Sequence, residues 1–143
     1  WGHAPNVAAE NVALVGLRSL DEDERRLVRE SDVTAYTMSD VDERGVTDVV
    51  ESALAVATDG TDGLHVSLDL DWLDPTEAPG VGTPVRGGVS YREAHVAMEQ
   101  VASCGEQLHS MEVVEVNPIL DTHNQTAELA CELTASAMGK RVL

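Results

Sequence analysis

Along the chain the spacing of apolar residues switches between unbroken runs and a period of three to four, and each switch marks a new element. Residues 11–17, NVALVGL, form a run that reads as a buried strand. The polar stretch SLDEDERRLVRES follows, where Ser19 can cap a helix and Asp21 to Glu24 suit its positive end. VTAYTM reads as a second short strand, and Val46, Val49, Val50, Ala53, Leu54 and Ala57 then recur at helical spacing until DGTDG ends them. GLHVSLDL predicts a third strand, whose near-continuous apolar character suits a parallel strand covered on both faces. Residues 71–89, with three prolines and four glycines, carry no period and read as a working loop. SYRE, residues 90–93, has the spacing of a capping box and opens a helix that buries Ala94, Ala97, Met98 and Val101 before Gly105. HSMEVVEV predicts a fourth strand, and Asp121 or Thr122 starts a last helix through Leu129, Leu133 and Ala137 to Gly139. About four strands thus alternate with helices, which predicts an α/β layer on a parallel sheet.

Charge narrows the partners. Asp and Glu number 26 against 9 Lys and Arg, a net charge of −17 that argues against phosphate backbones and anionic membrane surfaces. A single lysine, Lys140, stands beside eight arginines, and with the acidity this skew points to a salt-rich, halophilic cytoplasm where screening makes dense like charge tolerable. Cys104 and Cys131 lack ligand spacing and read as two buried thiols. No apolar run approaches the roughly 18 residues of a membrane span, so the sequence reads as cytoplasmic. The chain begins WGHAPN without an initiating Met, which reads as the tail of something longer.

Candidate chemistry gathers where the strands end, because ligands of parallel α/β sheets collect outside the carboxyl ends of the strands. Asp69 and Asp71, in HVSLDLDWLDP, read as pointing to one side with Ser67 behind them. Two carboxylates so placed can share a pair of divalent cations, and oxygen donors favour Mn²⁺ or Mg²⁺ over zinc. Equally, the two can cap the turn that follows the strand. His65 lies too far back to reach an ion at Asp69 and reads as a core histidine; His95 and His109 belong to periodic elements, and His123 to the surface. Glu115 falls at the end of the fourth strand, before VNP, facing the same crevice. It is a cap, a salt-bridge partner, or a carboxylate able to take a planar guanidinium with two hydrogen bonds. Between these acids runs PGVGTPVRGG, whose glycines allow close backbone approach. Ser/His/Asp and Cys/His nucleophile arrangements cannot be assembled from the sequence.

SLDLDWLDPTEAPGVGTPVRGGVSYREAH followed by VVEVNPILD resembles the ureohydrolases, and among them the bacterial type of arginase. The similarity runs from about residue 11 to residue 143 and takes in GLRSLDEDE; GTPV, SYRE and EVNP resemble arginase more than agmatinase. The resemblance implies a three-layer arginase-like α/β fold with a parallel sheet, residues 1–143 being the C-terminal part of one domain whose N-terminal half is absent. It implies a site for two Mn²⁺ ions, with Asp69 bridging both and Asp71 binding one. Glu115 would receive the guanidinium, Thr83 would stand beside it, and Asp21 and Glu24 would hold the α-amino end of L-arginine. A manganese-activated hydroxide would then release L-ornithine and urea. The intact protein would be a homo-oligomer, a trimer or hexamer. Arg92 and Glu93 would pair across a subunit contact there, unless Glu93 only closes the capping box with Ser90.

Two departures qualify the resemblance. Trp72 stands where the family often has Gly. The family's remaining metal ligands and its proton-shuttling His belong to an upstream half, and neither H-x-x-x-D nor D-x-H-x-D occurs here, so no catalytic residue is assigned within the chain. The expectation is half of a metal site in a truncated arginase. The alternatives are an agmatinase or other ureohydrolase, or a non-catalytic half-domain.

Overall fold

The computed structural model describes Gly2, Ala4 and residues 6–141, so His3 lies outside the described residues. It separates into two compact units, Trp1–Asp62 and Gly63–Leu143.

In the first unit, β1 (Ala13–Leu17) pairs in parallel with β2 (Thr34–Thr37) through the helix α1 (Glu22–Glu30). β1 is narrower than the apolar run suggests, and only its Gly16 is buried. The cap of α1 is Asp21, not Ser19. Its Oδ1 accepts from Glu24 N at 2.8 Å while Glu24 Oε2 accepts from Asp21 N at 2.8 Å, which closes a capping box. A helix absent from the sequence reading, α2 (Met38–Arg44), follows β2 directly, started by a second box between Thr37 and Asp40. Gly45, at φ 83°, turns the chain into α3 (Val46–Thr58), whose Val46, Val49, Val50 and Ala53 are buried with Val41 of α2. The helical spacing expected from residue 46 onward is therefore met.

The second unit is a βαβα arrangement: β3 (Leu64–Asp69), α4 (Tyr91–Ser103), β4 (Leu108–Val114) and α5 (Gln125–Ala137). β3 and β4 run parallel, with Ser67 opposite Glu112 and Asp69 opposite Val114. Among the described residues only one face of β3 is covered. Leu64 and Leu68 are buried, whereas Ser67 is exposed and the His65 side chain is 54% exposed, so His65 is a surface histidine bonded to Ser110 Oγ at 2.8 Å rather than a core one. Strict alternation, not coverage on both faces, governs this strand. The core lies between α4 and α5, where Ala94, Ala97, Met98 and Val101 meet Leu129, Ala130, Leu133 and Ala137. His95 is buried there and shares a 2.8 Å hydrogen bond with Ser136. Ser90 and Glu93 form the expected capping box, and within the chain Arg92 pairs with Glu99 at 3.8 Å.

α5 starts later than its sequence suggests. His123 and Asn124 both take left-handed backbone, and Asp121 reaches past them to accept from Thr126 N at 3.0 Å and Ala127 N at 3.2 Å. Of the two cysteines, Cys104 is half-buried but Cys131 is exposed, contrary to a pair of buried thiols; its position on α5 turns it away from the Leu129–Leu133 face. Among the described residues no helix is long and apolar enough to cross a membrane.

Candidate functional site

β3 ends on Asp69, and its last residue starts a short 3-10 turn, Leu70–Trp72, that carries Asp71. Asp69 Oδ1 accepts from Asp71 N at 2.9 Å, so Asp69 does cap the turn after the strand. Asp71 is therefore part of that turn rather than the next same-side residue of an extended strand. The neighbouring β4 ends on Val114, opposite Asp69, and Glu115 follows it with a φ of 67°. For a residue with a Cβ this is a sparsely populated backbone, and it belongs to the turn that leads into Val116. Val116 bridges Val81, and Asn117 N donates to Gly80 O at 2.8 Å, which brings the glycine-rich loop over the strand ends. There Thr83 Oγ1 donates to Asp71 Oδ2 at 3.1 Å, and a Cβ built on Gly82 would stand 3.6 Å from Glu115 Oε2.

The structure thus brings Asp69, Asp71, Thr83 and Glu115 to one place. Asp21 and Glu24 lie in the other unit, exposed and engaged in each other's capping box. Burial raises the carboxyl of Asp69 above the usual carboxylate value; the bond from the Asp71 amide works against this rise, and the charges of Asp71 and Glu115 add to it. A carboxylate whose ionised form is disfavoured by burial and by its neighbours' charges, among side chains that offer only oxygen, fits a hard divalent cation. They fit it as part of a set: among the described residues no group of three or more His, Cys, Asp or Glu side chains is arranged to hold a metal ion. Asp69 and Asp71 would hold such an ion, with Glu115 left for a ligand.

The sequence profile of the arginase family matches residues 2–139. The chain belongs to the arginase family. Its similarity to an arginase from Bacillus caldovelox is 50% identity over 142 residues, covering 99% of this chain and 47% of the other. The crystal structure of arginase from Bacillus subtilis superposes with a TM-score of 0.93 at 52% identity, over 99% of this chain and 49% of that one. A structure described as a hypothetical agmatinase from Burkholderia thailandensis is more distant, at 28% identity and a TM-score of 0.76 over 91% of this chain and 38% of that one. The chain therefore spans about half the length of the arginases it matches, and within that half the arginase-like α/β fold is present.

Trp72 closes the turn that carries Asp71, and its indole Nε1 is buried without a hydrogen-bond partner. Sequence reasoning singled out the acids but not the residues that hold the loop. Gly80 is one: a Cβ there would come within 2.4 Å of Asp121 Cβ, and its amide donates to the buried Thr126 Oγ1 at 2.7 Å. The signal in the sequence was Asp121 and Thr126 flanking the start of the last helix, which reads as ordinary capping until the loop is folded over it.

Proposed function

We propose that this chain contributes half of the active centre of an arginase that hydrolyses L-arginine to L-ornithine and urea in the cytoplasm, as part of a homo-oligomer. The observation that carries the reading is the meeting of Asp69, Asp71, Thr83 and Glu115 at adjacent strand ends in a chain about half identical to bacterial arginases. Asp69 and Asp71 are the residues that would hold Mn²⁺. A pair of such ions supplies Lewis acidity and lowers the pKa of water toward neutrality. Glu115, aimed from the end of β4, accepts the guanidinium through two charge-assisted hydrogen bonds. Thr83 keeps Asp71 oriented by donating to one of its oxygens, and Gly82 leaves room beside the Glu115 carboxylate. Asp21 and Glu24 are the anions assigned to the α-amino end of the substrate. Water adds to the guanidinium carbon, the bond from that carbon to the side-chain nitrogen breaks, and that nitrogen leaves as the protonated amine of ornithine.

Two carboxylates offer at most four oxygens, whereas two six-coordinate ions need roughly a dozen donor positions, so Asp69 and Asp71 would supply only part of such a site. In an arginase whose corresponding half is replaced by this chain, urea release from L-arginine should exceed that from agmatine. Glu115→Gln should lower it by about two orders of magnitude or more. Faster agmatine turnover, or an unaffected Glu115→Gln variant, would overturn the assignment. The 143-residue chain by itself should bind Mn²⁺ weakly and release no urea.

A further inference from the structure

Between Asp71 and α4 the chain makes the excursion that delivers Gly82 and Thr83 to the two carboxylates, and a small number of bonds hold it in shape. Backbone clasps its base: Asp74 N donates to Val89 O at 3.0 Å and Val89 N to Trp72 O at 3.2 Å. Gly88 passes so close under this clasp that a Cβ on it would come within 2.4 Å of the Leu73 carbonyl carbon. One side chain extends the clasp into the loop. Asp74 Oδ2 accepts from Gly87 N at 2.8 Å, while Oδ1 accepts from Thr76 N at 3.0 Å and from Thr76 Oγ1 at 2.7 Å. The other limb is pinned independently, by Gly80 N on Thr126 Oγ1 and by Asn117 N on Gly80 O. Thr83 therefore sits on a span held at Gly80 by one set of bonds and at Gly87 by Asp74. Gly87 has a φ of 80° and no side chain of its own, so the Asp74 carboxylate is a side-chain restraint on that end beyond the backbone clasp.

We infer that Asp74 is a positioning residue, whose carboxylate ties the returning limb of the loop at Gly87 and thereby sets the contact of Thr83 with Asp71. Its consequence for metal holding rests on the reading of Asp69 and Asp71 given above; its effect on loop geometry does not. The two are separable by amide NMR of the full 143-residue chain, first without metal. In Asp74→Asn and Asp74→Ala, hydrogen-exchange protection at Gly87 should fall about tenfold or more, as expected for losing charge-assisted bonds. The resonances of Asp71 and Thr83 should shift with it. Val101 and Leu133, in the core of α4 and α5, should keep their protection within about twofold, since no bond to them is removed. Thr76→Val, which deletes one donor and leaves the carboxylate, should show the same pattern at smaller amplitude.

Mn²⁺ added to the wild type should broaden amides around Asp69 and Asp71, and the midpoint of that broadening should rise about fivefold in Asp74→Asn, as expected for losing part of a charge-assisted bond. Unmoved Asp71 and Thr83 resonances alongside a deprotected Gly87 would reduce Asp74 to a local staple and overturn the inference. So would loss of protection throughout α4 and α5 in all three variants. Absence of broadening in the wild type would count against the proposed metal site while leaving the metal-free result to decide the role of Asp74.

Discussion

Asp69 carries two demands that pull apart. Its Oδ1 is needed by the amide of Asp71, while its charge sits half-buried beside the charges of Asp71 and Glu115. An amide at this position keeps the acceptor and removes the repulsion. Asp69→Asn should therefore raise the melting temperature of the metal-free chain and at the same time abolish its Mn²⁺ binding, a stability gain at the expense of function. Thermal unfolding with and without Mn²⁺ checks both halves; a lowered melting temperature would mean that the carboxylate stabilises this turn more than its neighbours' charges repel it. Asp74 behaves oppositely. The bonds from Thr76 and Gly87 pull its carboxyl down to about 2, with the Thr76 hydroxyl as the largest contributor. Since the folded value lies below the unfolded one, this group's stabilisation is fully present above the unfolded value near 4 and disappears as pH falls toward about 2. The gap in melting temperature between wild type and Asp74→Asn should be constant above about pH 5 and close across that acid window. A gap that persisted at pH 2 would contradict it.

At the scale of elements, capping chemistry decides more than apolar periodicity does. Boxes at Asp21/Glu24, Thr37/Asp40 and Ser90/Glu93 start three of the five α-helices among the described residues. Only the last was legible, because SYRE stands clear of the preceding loop. In the first, Ser19 and Asp21 each have a Glu three residues on, so the sequence offers two registers. The second hides inside VTAYTM, where β2 ends on the very threonine that caps α2. Ser90→Ala should lower unfolding free energy by about 1 kcal/mol in urea titration, without a change in slope. The strands were legible from their composition, but the cover over β3 was not: Leu64 and Leu68 alternate with His65 and Ser67, and a tolerant eye reads His-Val-Ser as apolar. The candidate acids were legible for a stronger reason, that a strand ending in carboxylates has few structural uses. Asp74 and Asp121, which shape the loop around them, look in sequence like any turn aspartate, because their partners are backbone amides that carry no sequence signal.

For the whole molecule the dominant quantity is the charge of −17. Self-repulsion of this size weakens the folded state, and salt relieves it as the screening length shrinks from about 10 Å at 0.1 M to about 3 Å at 1 M. The melting temperature of the chain should therefore rise between those concentrations of KCl, with the same direction in NaCl. A flat or falling response would remove the basis for a salt-adapted chain. Surface pairs such as Arg26 with Asp23 at 3.1 Å and Glu30 at 3.5 Å contribute little either way, being exposed and screened together with the net charge.

Glu115 links these scales to descent. Its left-handed backbone suits glycine or asparagine, and a glutamate there bears a conformational penalty of about 1 kcal/mol. Glycine at that position would be the more comfortable residue for the fold and useless for a guanidinium. If Glu115 has the role proposed for it, selection for folding and selection for chemistry push position 115 in opposite directions. Among related genes, those released from catalytic duty should drift to Gly or Asn at this site while their helices and strands remain intact.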